Sequence, residues 1–176
     1  MATPKDDAGR ADSGAFVIHQ ADASAIAHEP QAPQAPCDST FIAIARLVFA
    51  DAHCTTSNCH APGPDAPVVG LDLTESKAYK LLVGVAPAAK VGSTFLRVNP
   101  GDEQTSLLYR KLAAAEPAGE ALPADGGAPM PIDLPPIAAE KLAALRAWIR
   151  AGADETGVTP TTEDFVAQCA AAAAQH

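Results

Sequence analysis

The heptapeptide 54–60, CTTSNCH, constrains this chain more than any other stretch. Its two cysteines, Cys54 and Cys59, are separated by four residues, and His60 follows the second cysteine directly. The side chains of neighbouring residues diverge from the backbone, so Cys59 and His60 cannot easily share one small ion. Any fold of this chain must therefore present two thiols and an imidazole from a single loop.

Three uses of this loop are open: covalent attachment of haem, a disulfide between Cys54 and Cys59, and a zinc site. Zinc needs four ligands in a tetrahedron, which suits two adjacent residues poorly. A haem macrocycle removes the conflict, because Cys59 can bond its edge while His60 reaches the iron at its centre. The usual haem-attachment spacing has two residues between the cysteines, but the longer spacing leaves the Cys59–His60 step unchanged. We therefore predict one covalently attached haem c.

A second iron ligand is available in the loop 126–131, GGAPMP, which contains Met130. Methionine is a soft, neutral ligand, and His/Met ligation raises the reduction potential of cytochromes c. The two flanking prolines stiffen the loop, so the side chain loses little entropy on reaching an iron. We predict Met130 opposite His60, with a gap-filling core methionine as the alternative. His53 competes for the same position, but we expect it to be solvated.

The two remaining cysteines, Cys37 and Cys169, flank the predicted first and last helices. Exported proteins seldom leave two thiols free, and the even cysteine count favours a bridge between this pair. Two buried free thiols and a bond to another chain are the alternatives. We predict an intramolecular disulfide between Cys37 and Cys169.

Charge and hydropathy exclude several classes of function. Twenty-one Asp and Glu residues against twelve Lys and Arg give a formal net charge of −9. Nucleic-acid binding needs clustered basic residues, whereas these are scattered, so we predict no nucleic-acid partner. No apolar run approaches the length of a membrane-spanning helix. The chain has only one tryptophan, two tyrosines and five phenylalanines, so its own side chains would form a small hydrophobic core. A large apolar group such as haem would complete that core.

The chain divides into a tether, residues 1–36, and a domain, residues 37–176. The tether is rich in Ala, Pro and Gln, a composition that favours an extended linker. In the domain, helical periodicity and capping residues predict short helices separated by long loops and almost no strand. The predicted helices begin near Ser39 or Thr40, near Thr74, after Asp102, at 137–151 and after 161–162.

The start of the sequence, MATPKD, lacks the apolar stretch of a secretory signal, and we interpret the sequence as an exported chain in its processed form. Covalent haem and four cysteines both fit an oxidising compartment. We therefore predict a periplasmic or other extracytoplasmic location. Any attachment to a membrane would need an anchor that this sequence does not contain.

These features together resemble a single-haem, class I type cytochrome c domain, and more narrowly the planctomycete-type and myxobacterial exported cytochromes. The similarity covers residues 40–153, and its landmarks appear in the family's order: the helix leading into Cys54, Cys59 and His60, then Gly70–Leu73, Val98–Asp102 with Ser106–Leu108, Met130–Pro131, and Leu145, Trp148, Ile149 and Gly152. The resemblance implies an all-α cytochrome c-like fold, thioethers at both cysteines, proximal His60 and distal Met130. It also implies that the first helix crosses the Trp148 helix.

We predict a one-electron carrier that is not an enzyme. The iron would cycle between two oxidation states without bond making, and the sequence contains no nucleophile-elbow or metal-helix motif. The acidic surface predicts redox partner proteins with basic docking patches. Arg97, Arg110 and Lys111 are candidate partners for haem propionates, with a solvated position as the alternative. A haem enzyme or gas sensor with a labile sixth ligand, and a cofactor-free disulfide-bridged binding module, are the rival functions.

Overall fold

The computed structural model describes residues 36–62 and 70–175, so the predicted tether lies outside it except for residue 36. Within these ranges the chain forms helices α1 (Thr40–Ile44), α2 (Glu75–Leu82), α3 (Leu107–Ala113), α4 (Ala139–Arg150) and α5 (Glu163–Ala173), and α1 continues as a π-helical segment (Ala45–Ala50). Strand pairing among the described residues is limited to two isolated bridges, Val83 with Val98 and Leu96 with Ser106. This is the all-α architecture that the sequence predicts.

The first helix begins as the sequence predicts, at a serine cap. The Ser39 hydroxyl accepts a hydrogen bond from the Ile42 amide at 3.2 Å, which satisfies one of the unpaired donors of the first turn. The helix then widens into the π-helical segment Ala45–Ala50. Short π-helical segments recur at functional sites, and this one ends only four residues before Cys54.

The core forms where α1 packs against α4. Trp148 is fully buried, and its ring centroid lies 5.6 Å from that of Phe41 on α1. Its indole N–H donates to the Asp154 carbonyl at 2.8 Å, so burial leaves no unpaired donor. Helix α4 is followed by Gly152 with φ +111°, a conformation that glycine adopts without strain and that ends the helix as predicted. The crossing of the first helix with the Trp148 helix agrees with what the resemblance described above implies.

Helix α5 belongs to the same compact unit because a disulfide and a hydrogen bond join it to α1 and the residues next to α1. Cys37 and Cys169 form a disulfide, with their Cα atoms 5.9 Å apart. The hydroxyls of Thr40 and Thr162, both buried, lie 2.7 Å apart. The Thr40 hydroxyl also accepts the Thr159 amide at 2.8 Å. The pairing of the two outer cysteines is the one that the sequence predicts.

Replacing both Cys37 and Cys169 by serine should lower the free energy of unfolding by up to about 5 kcal/mol, because the bond closes a loop of 132 residues. Urea unfolding of the oxidised protein checks this value. Reduction of the wild-type protein should give a similar loss, whereas reductant should leave the double variant unchanged. Equal unfolding midpoints for the wild type and the double variant would contradict a stabilising bridge.

One predicted helix start is wrong. Asp102 was expected to cap α3, but α3 begins at Leu107 with Ser106 at its N-cap position. The Asp102 carboxylate instead accepts hydrogen bonds from the Gln104 amide at 2.8 Å and from the Thr105 hydroxyl at 2.8 Å. Aspartate side chains stabilise turns of this kind as readily as they cap helices. The carboxylate therefore closes a turn before the helix begins.

A buried carboxylate links this turn to α4. Glu103 is only 4% exposed, and its Oε1 accepts hydrogen bonds from Arg146 Nε at 3.1 Å and from Arg150 Nε at 2.8 Å. The hydrogen bond from Arg150 lowers the pKa of Glu103 to about 2, although burial opposes the shift. The carboxylate is therefore ionised over nearly the whole accessible pH range and holds the 99–106 turn on α4.

The Glu103→Gln variant should lose about 1–2 kcal/mol of folding free energy at pH 7, a value reduced from the full shift because both guanidinium groups are about half exposed to water. The pKa of Glu103 is lower in the folded state than its ordinary 4.5. Its contribution is therefore present above about pH 4.5 and is lost as the pH falls toward about 2.

Urea unfolding from pH 7 to pH 2.5 checks this dependence, with Glu120→Gln as the matched control. Glu120 pairs with Arg110 at 3.7 Å but is 69% exposed, so its removal should cost little. The stability difference between the wild type and Glu103→Gln should narrow as the pH falls. A difference that stays constant across this range would contradict the assigned pKa.

No helix in the described ranges is long and apolar enough to cross a membrane.

Candidate functional site

The heptapeptide 54–60 forms a closed loop directly after the π-helical segment. The Cys54 amide donates to the Phe49 carbonyl at 2.8 Å and so continues the π-helical hydrogen-bonding pattern. The His60 amide donates to the Cys54 carbonyl at 2.9 Å, which brings the two ends of the heptapeptide together. Within the loop, the Cys59 amide donates to the Thr56 carbonyl at 3.0 Å. The structure therefore brings both predicted thiols and the predicted imidazole into one turn.

The two loop cysteines are free thiols, each half-buried. The disulfide between them that the sequence left open is not formed. Burial raises the pKa of Cys54 to about 11, and the neighbouring Cys59 adds to the rise. The Cys54 sulfur lies 3.7 Å from the Ala52 carbonyl, to which it can donate. At neutral pH Cys54 is therefore a protonated, weakly nucleophilic thiol, unlike the low-pKa cysteines of thiol enzymes.

The His60 ring is oriented by a backbone carbonyl. Its Nδ1 lies 3.2 Å from the Leu71 oxygen, and because a carbonyl can only accept, Nδ1 carries the proton in this contact. The lone pair of the neutral ring is then on Nε2. Histidines that ligate metals commonly donate their other ring N–H to a carbonyl in this way. The ring is therefore in the tautomer that an Nε2 iron ligand requires.

The segment that supplies this carbonyl is itself anchored. The Leu73 amide donates to the His60 carbonyl at 2.7 Å, and the buried Asp72 carboxylate accepts from the Thr74 amide at 2.9 Å and the Thr74 hydroxyl at 2.6 Å. Burial alone would raise the pKa of Asp72, but the Thr74 hydrogen bonds and the Lys77 ammonium outweigh it and lower the pKa. The 71–74 segment thus forms hydrogen bonds with both the backbone and the ring of His60.

Met130 lies in a different segment from His60. It is partly buried and packs against the same hydrophobic core as Cys54. The Met130 amide donates to the Lys111 carbonyl at 3.0 Å, which fixes the backbone of the proline-flanked loop on α3. The hydrogen bond of its amide therefore fixes the backbone of Met130. The structure places it in the loop that the sequence predicts.

The chain segments next to Cys54 and Met130 face a common cavity. The cavity has a volume of about 340 Å³ and is lined on one side by residues 51–53 and on the other by Pro131, residues 134–138 and Lys141. His60 and Met130 are not among its lining residues, so this cavity is not the candidate iron site. His53 lines it and is exposed, in agreement with the predicted solvated position.

A zinc site gains no support from the geometry. Among residues 36–62 and 70–175, no three His, Cys, Asp or Glu side chains converge in a way that could hold a metal ion. The loop offers two thiols and one imidazole on diverging neighbours, which leaves a tetrahedral site incomplete. The same donor set suits a macrocycle that already supplies four nitrogen ligands to its metal and needs only axial ligands from the protein.

The three candidate propionate partners have other roles in the structure. Each donates to a backbone carbonyl: Arg97 to Leu81 at 2.9 Å, Arg110 to Ala121 at 2.6 Å and Lys111 to Ala128 at 2.8 Å. Arg110 and Lys111 thus bind carbonyl groups of the loop that contains Met130, and Arg97 binds the end of α2. A contact of these side chains with haem propionates stays a prediction.

Sequence reasoning missed the Leu71 carbonyl and the contact of Lys111 with the Ala128 carbonyl, since it offered Lys111 only as a propionate partner. Every residue has a backbone carbonyl, so the identity of Leu71 does not indicate that its carbonyl would contact His60. Lys111 left a weak signal, because a cation in the last turn of a helix that precedes a Gly/Pro-rich loop is placed to bind carbonyl groups of that loop.

The chain matches no protein-family model, no curated protein and no solved structure. The chemistry of the site therefore has to be argued from the residues and contacts described above.

Proposed function

We propose that this chain is an extracytoplasmic electron-transfer protein that carries one haem c, attached at Cys54 and Cys59 and ligated by His60 and Met130. The observation that carries the proposal is the orientation of His60. Its ring follows Cys59 directly and donates from Nδ1 to the Leu71 carbonyl at 3.2 Å, so Nε2 would be the ligating atom. This is the arrangement that a proximal histidine needs beside a thioether.

The two thiols suit covalent attachment better than any other use in this loop. They are unpaired and half-buried. The hydrogen bond from the His60 amide to the Cys54 carbonyl keeps the two ends of the loop close together. When bound, haem supplies a one-electron couple between ferric and ferrous iron. The protein's part is to hold the ring by two thioethers and one imidazole, which prevents its loss in either oxidation state.

Met130 supports electron transfer over catalysis. If His60 and Met130 both ligate a bound iron, no position would be left open for a substrate. The loop that carries Met130 is stiffened by prolines and is fixed to α3 through the Lys111 carbonyl. A side chain held in this way changes little between oxidation states, which keeps the reorganisation that accompanies electron transfer small. No catalytic acid, base or nucleophile is required of the chain.

The arrangement of helices supports a cytochrome c-like fold. In the resemblance described above, the first helix crosses the helix that contains Trp148, and here Phe41 of α1 packs on Trp148 of α4 with ring centroids 5.6 Å apart. The bridge between Cys37 and Cys169 adds α5 to this pair. A disulfide of this kind is typical of oxidising compartments and supports a location outside the cytoplasm.

The expected partners are redox proteins with basic docking patches. The net charge of −9 favours association with positively charged surfaces, and such association weakens with added salt. Two large apolar side chains, Ile132 at 56% and Leu134 at 45% exposure, lie in the loop just after Met130. An apolar patch on an acidic surface suits a transient interface in which charge guides the encounter and apolar contact completes it.

The test is the visible spectrum, oxidised and reduced, of protein produced in a host that matures c-type cytochromes. We expect a red protein whose reduced form has the sharp bands of a six-coordinate haem and does not bind carbon monoxide readily. A colourless product, alongside a second cytochrome that matures normally in the same cells, would overturn the proposal. Ready carbon monoxide binding would favour the haem enzyme or gas sensor instead.

A further inference from the structure

The C-terminal end of α3 is completed by Met130. The last four carbonyl groups of an α-helix have no partner within the helix. In α3, three of them accept hydrogen bonds from residues 114–116, the next residues of the chain. The fourth, the Lys111 carbonyl, accepts the Met130 amide at 3.0 Å from a loop nineteen residues further along. The backbone position of Met130 is therefore determined by the end of this helix.

The side chain of Lys111 holds the same loop at a second point. Its ammonium nitrogen donates to the Ala128 carbonyl at 2.8 Å. A Cβ atom at Gly127, whose φ is +78°, would lie 3.2 Å from this nitrogen, so the glycine lets the loop backbone come close to the ammonium. One residue thus binds the loop on both sides of Pro129, at Ala128 through its side chain and at Met130 through its backbone.

The lysine is unusually placed for this residue type. Lysine ammonium groups normally remain in water while the methylene groups cover apolar surface. Lys111 is half-buried, and burial lowers its pKa. A charged group that gives up hydration needs compensating hydrogen bonds, and the Ala128 carbonyl provides one. The contact is exposed to solvent, and it joins the end of α3 to the loop at a second point.

We propose that Lys111 is a positioning residue for the Met130 sulfur, so that the strength of the sulfur–iron bond depends on the Lys111–Ala128 contact. This inference rests on the proposed function. The prolines beside Met130 limit the conformations of the loop, but they do not attach it to the rest of the fold. Lys111 supplies that attachment. When the ammonium contact is removed, the loop keeps the Met130 amide hydrogen bond and the packing of Met130 against the core but loses its second hydrogen bond to Lys111. The thioether would then leave the iron more often.

The experiment measures how fast cyanide binds to the ferric holoprotein, since cyanide can enter only when the thioether has left. Lys111→Met keeps the length of the side chain and removes its donor. We expect cyanide to bind about tenfold faster, the change that corresponds to losing one hydrogen bond from a charged donor. The sulfur-to-iron charge-transfer band should weaken in parallel. Lys111→Arg, which retains a charged donor, should restore most of both properties.

Two further variants separate positioning from charge and from stability. Lys80→Met makes the same substitution at an exposed position on α2, and its cyanide rate should equal that of the wild type. Lys111→Gln is a second way to weaken the contact, because its amide is neutral and lies one bond nearer the main chain than the ammonium, and it should raise the cyanide rate in the same direction as Lys111→Met does. Wild-type cyanide rates in both Lys111→Met and Lys111→Gln would overturn the inference.

Met130→Ala distinguishes failure of this inference from failure of the proposed function. If Met130→Ala binds cyanide fast and loses the charge-transfer band while both Lys111 variants behave as the wild type does, the ligand assignment holds and the role of Lys111 is wrong. If Met130→Ala itself leaves the rate and the spectrum unchanged, Met130 is not the ligand, and both proposals fail at that position.

Discussion

The Met130→Ala variant is expected to lower the midpoint reduction potential by on the order of 0.1–0.3 V, part of the range of about 0.8 V that axial ligands can produce. A thioether stabilises ferrous iron relative to ferric iron, whereas water, which would replace it, does not. The variant should also bind carbon monoxide readily in its reduced form, because the sixth position is then open. Potentiometric titration followed by visible absorbance measures the shift.

The control for this variant is Leu134→Ala. Leu134 lies in the same loop region and is 45% exposed, so its truncation removes an apolar side chain near Met130 without touching the predicted ligand. The potential of Leu134→Ala should remain close to that of the wild type. A Met130→Ala protein with an unchanged potential and an unchanged spectrum would assign the sixth ligand to another residue, and exposed His53 would be the first to test.

The Cys59→Ala variant is expected to contain almost no covalently bound haem. Cys59 supplies the thioether next to the ligating histidine, and its loss removes the bond that fixes the ring above His60. The remaining Cys54 is a half-buried thiol whose pKa is raised by burial. One thioether at the far end of a four-residue spacer would orient the ring poorly. Haem-dependent staining of a denaturing gel, compared with total protein, measures the attached fraction.

Ser57→Ala is the matched control within the heptapeptide. Ser57 is exposed and lies between the two cysteines, so the variant alters the same loop by one small side chain and leaves both thiols in place. Its attached haem should equal that of the wild type. Normal covalent haem in Cys59→Ala would mean that this cysteine is not an attachment point.

The helices were predictable wherever one local signal dominates. Ser39 before an apolar helical stripe predicts α1, and Gly152 after Trp148 predicts the end of α4. The first helix was not predictable in full, because the π-helical segment Ala45–Ala50 uses residues that favour an ordinary α-helix. Asp102 was assigned wrongly because a carboxylate can close a turn or cap a helix with the same hydrogen bonds, and the choice depends on Thr105 and Ser106, which bond within that turn.

The site was predictable to the extent that its chemistry is local in the chain. Cys54, Cys59 and His60 lie within seven consecutive residues, so the sequence alone places them in one loop. The Leu71 carbonyl beside His60 lies eleven residues further along the chain. The contact of Lys111 with Ala128 joins positions seventeen residues apart. Contacts of this kind follow from tertiary packing, which residue type and spacing do not determine.

The intact mass of the denatured protein is the most direct test that haem is covalently bound at the 54–60 loop. Denaturation removes any haem held only by axial ligands, whereas thioether bonds survive it. Protein from a cytochrome-maturing host should carry the added mass of one haem, and a proteolytic fragment containing Cys54, Cys59 and His60 should carry the whole of that addition. A fragment without added mass, from cells that load haem onto another c-type cytochrome, would contradict the proposal.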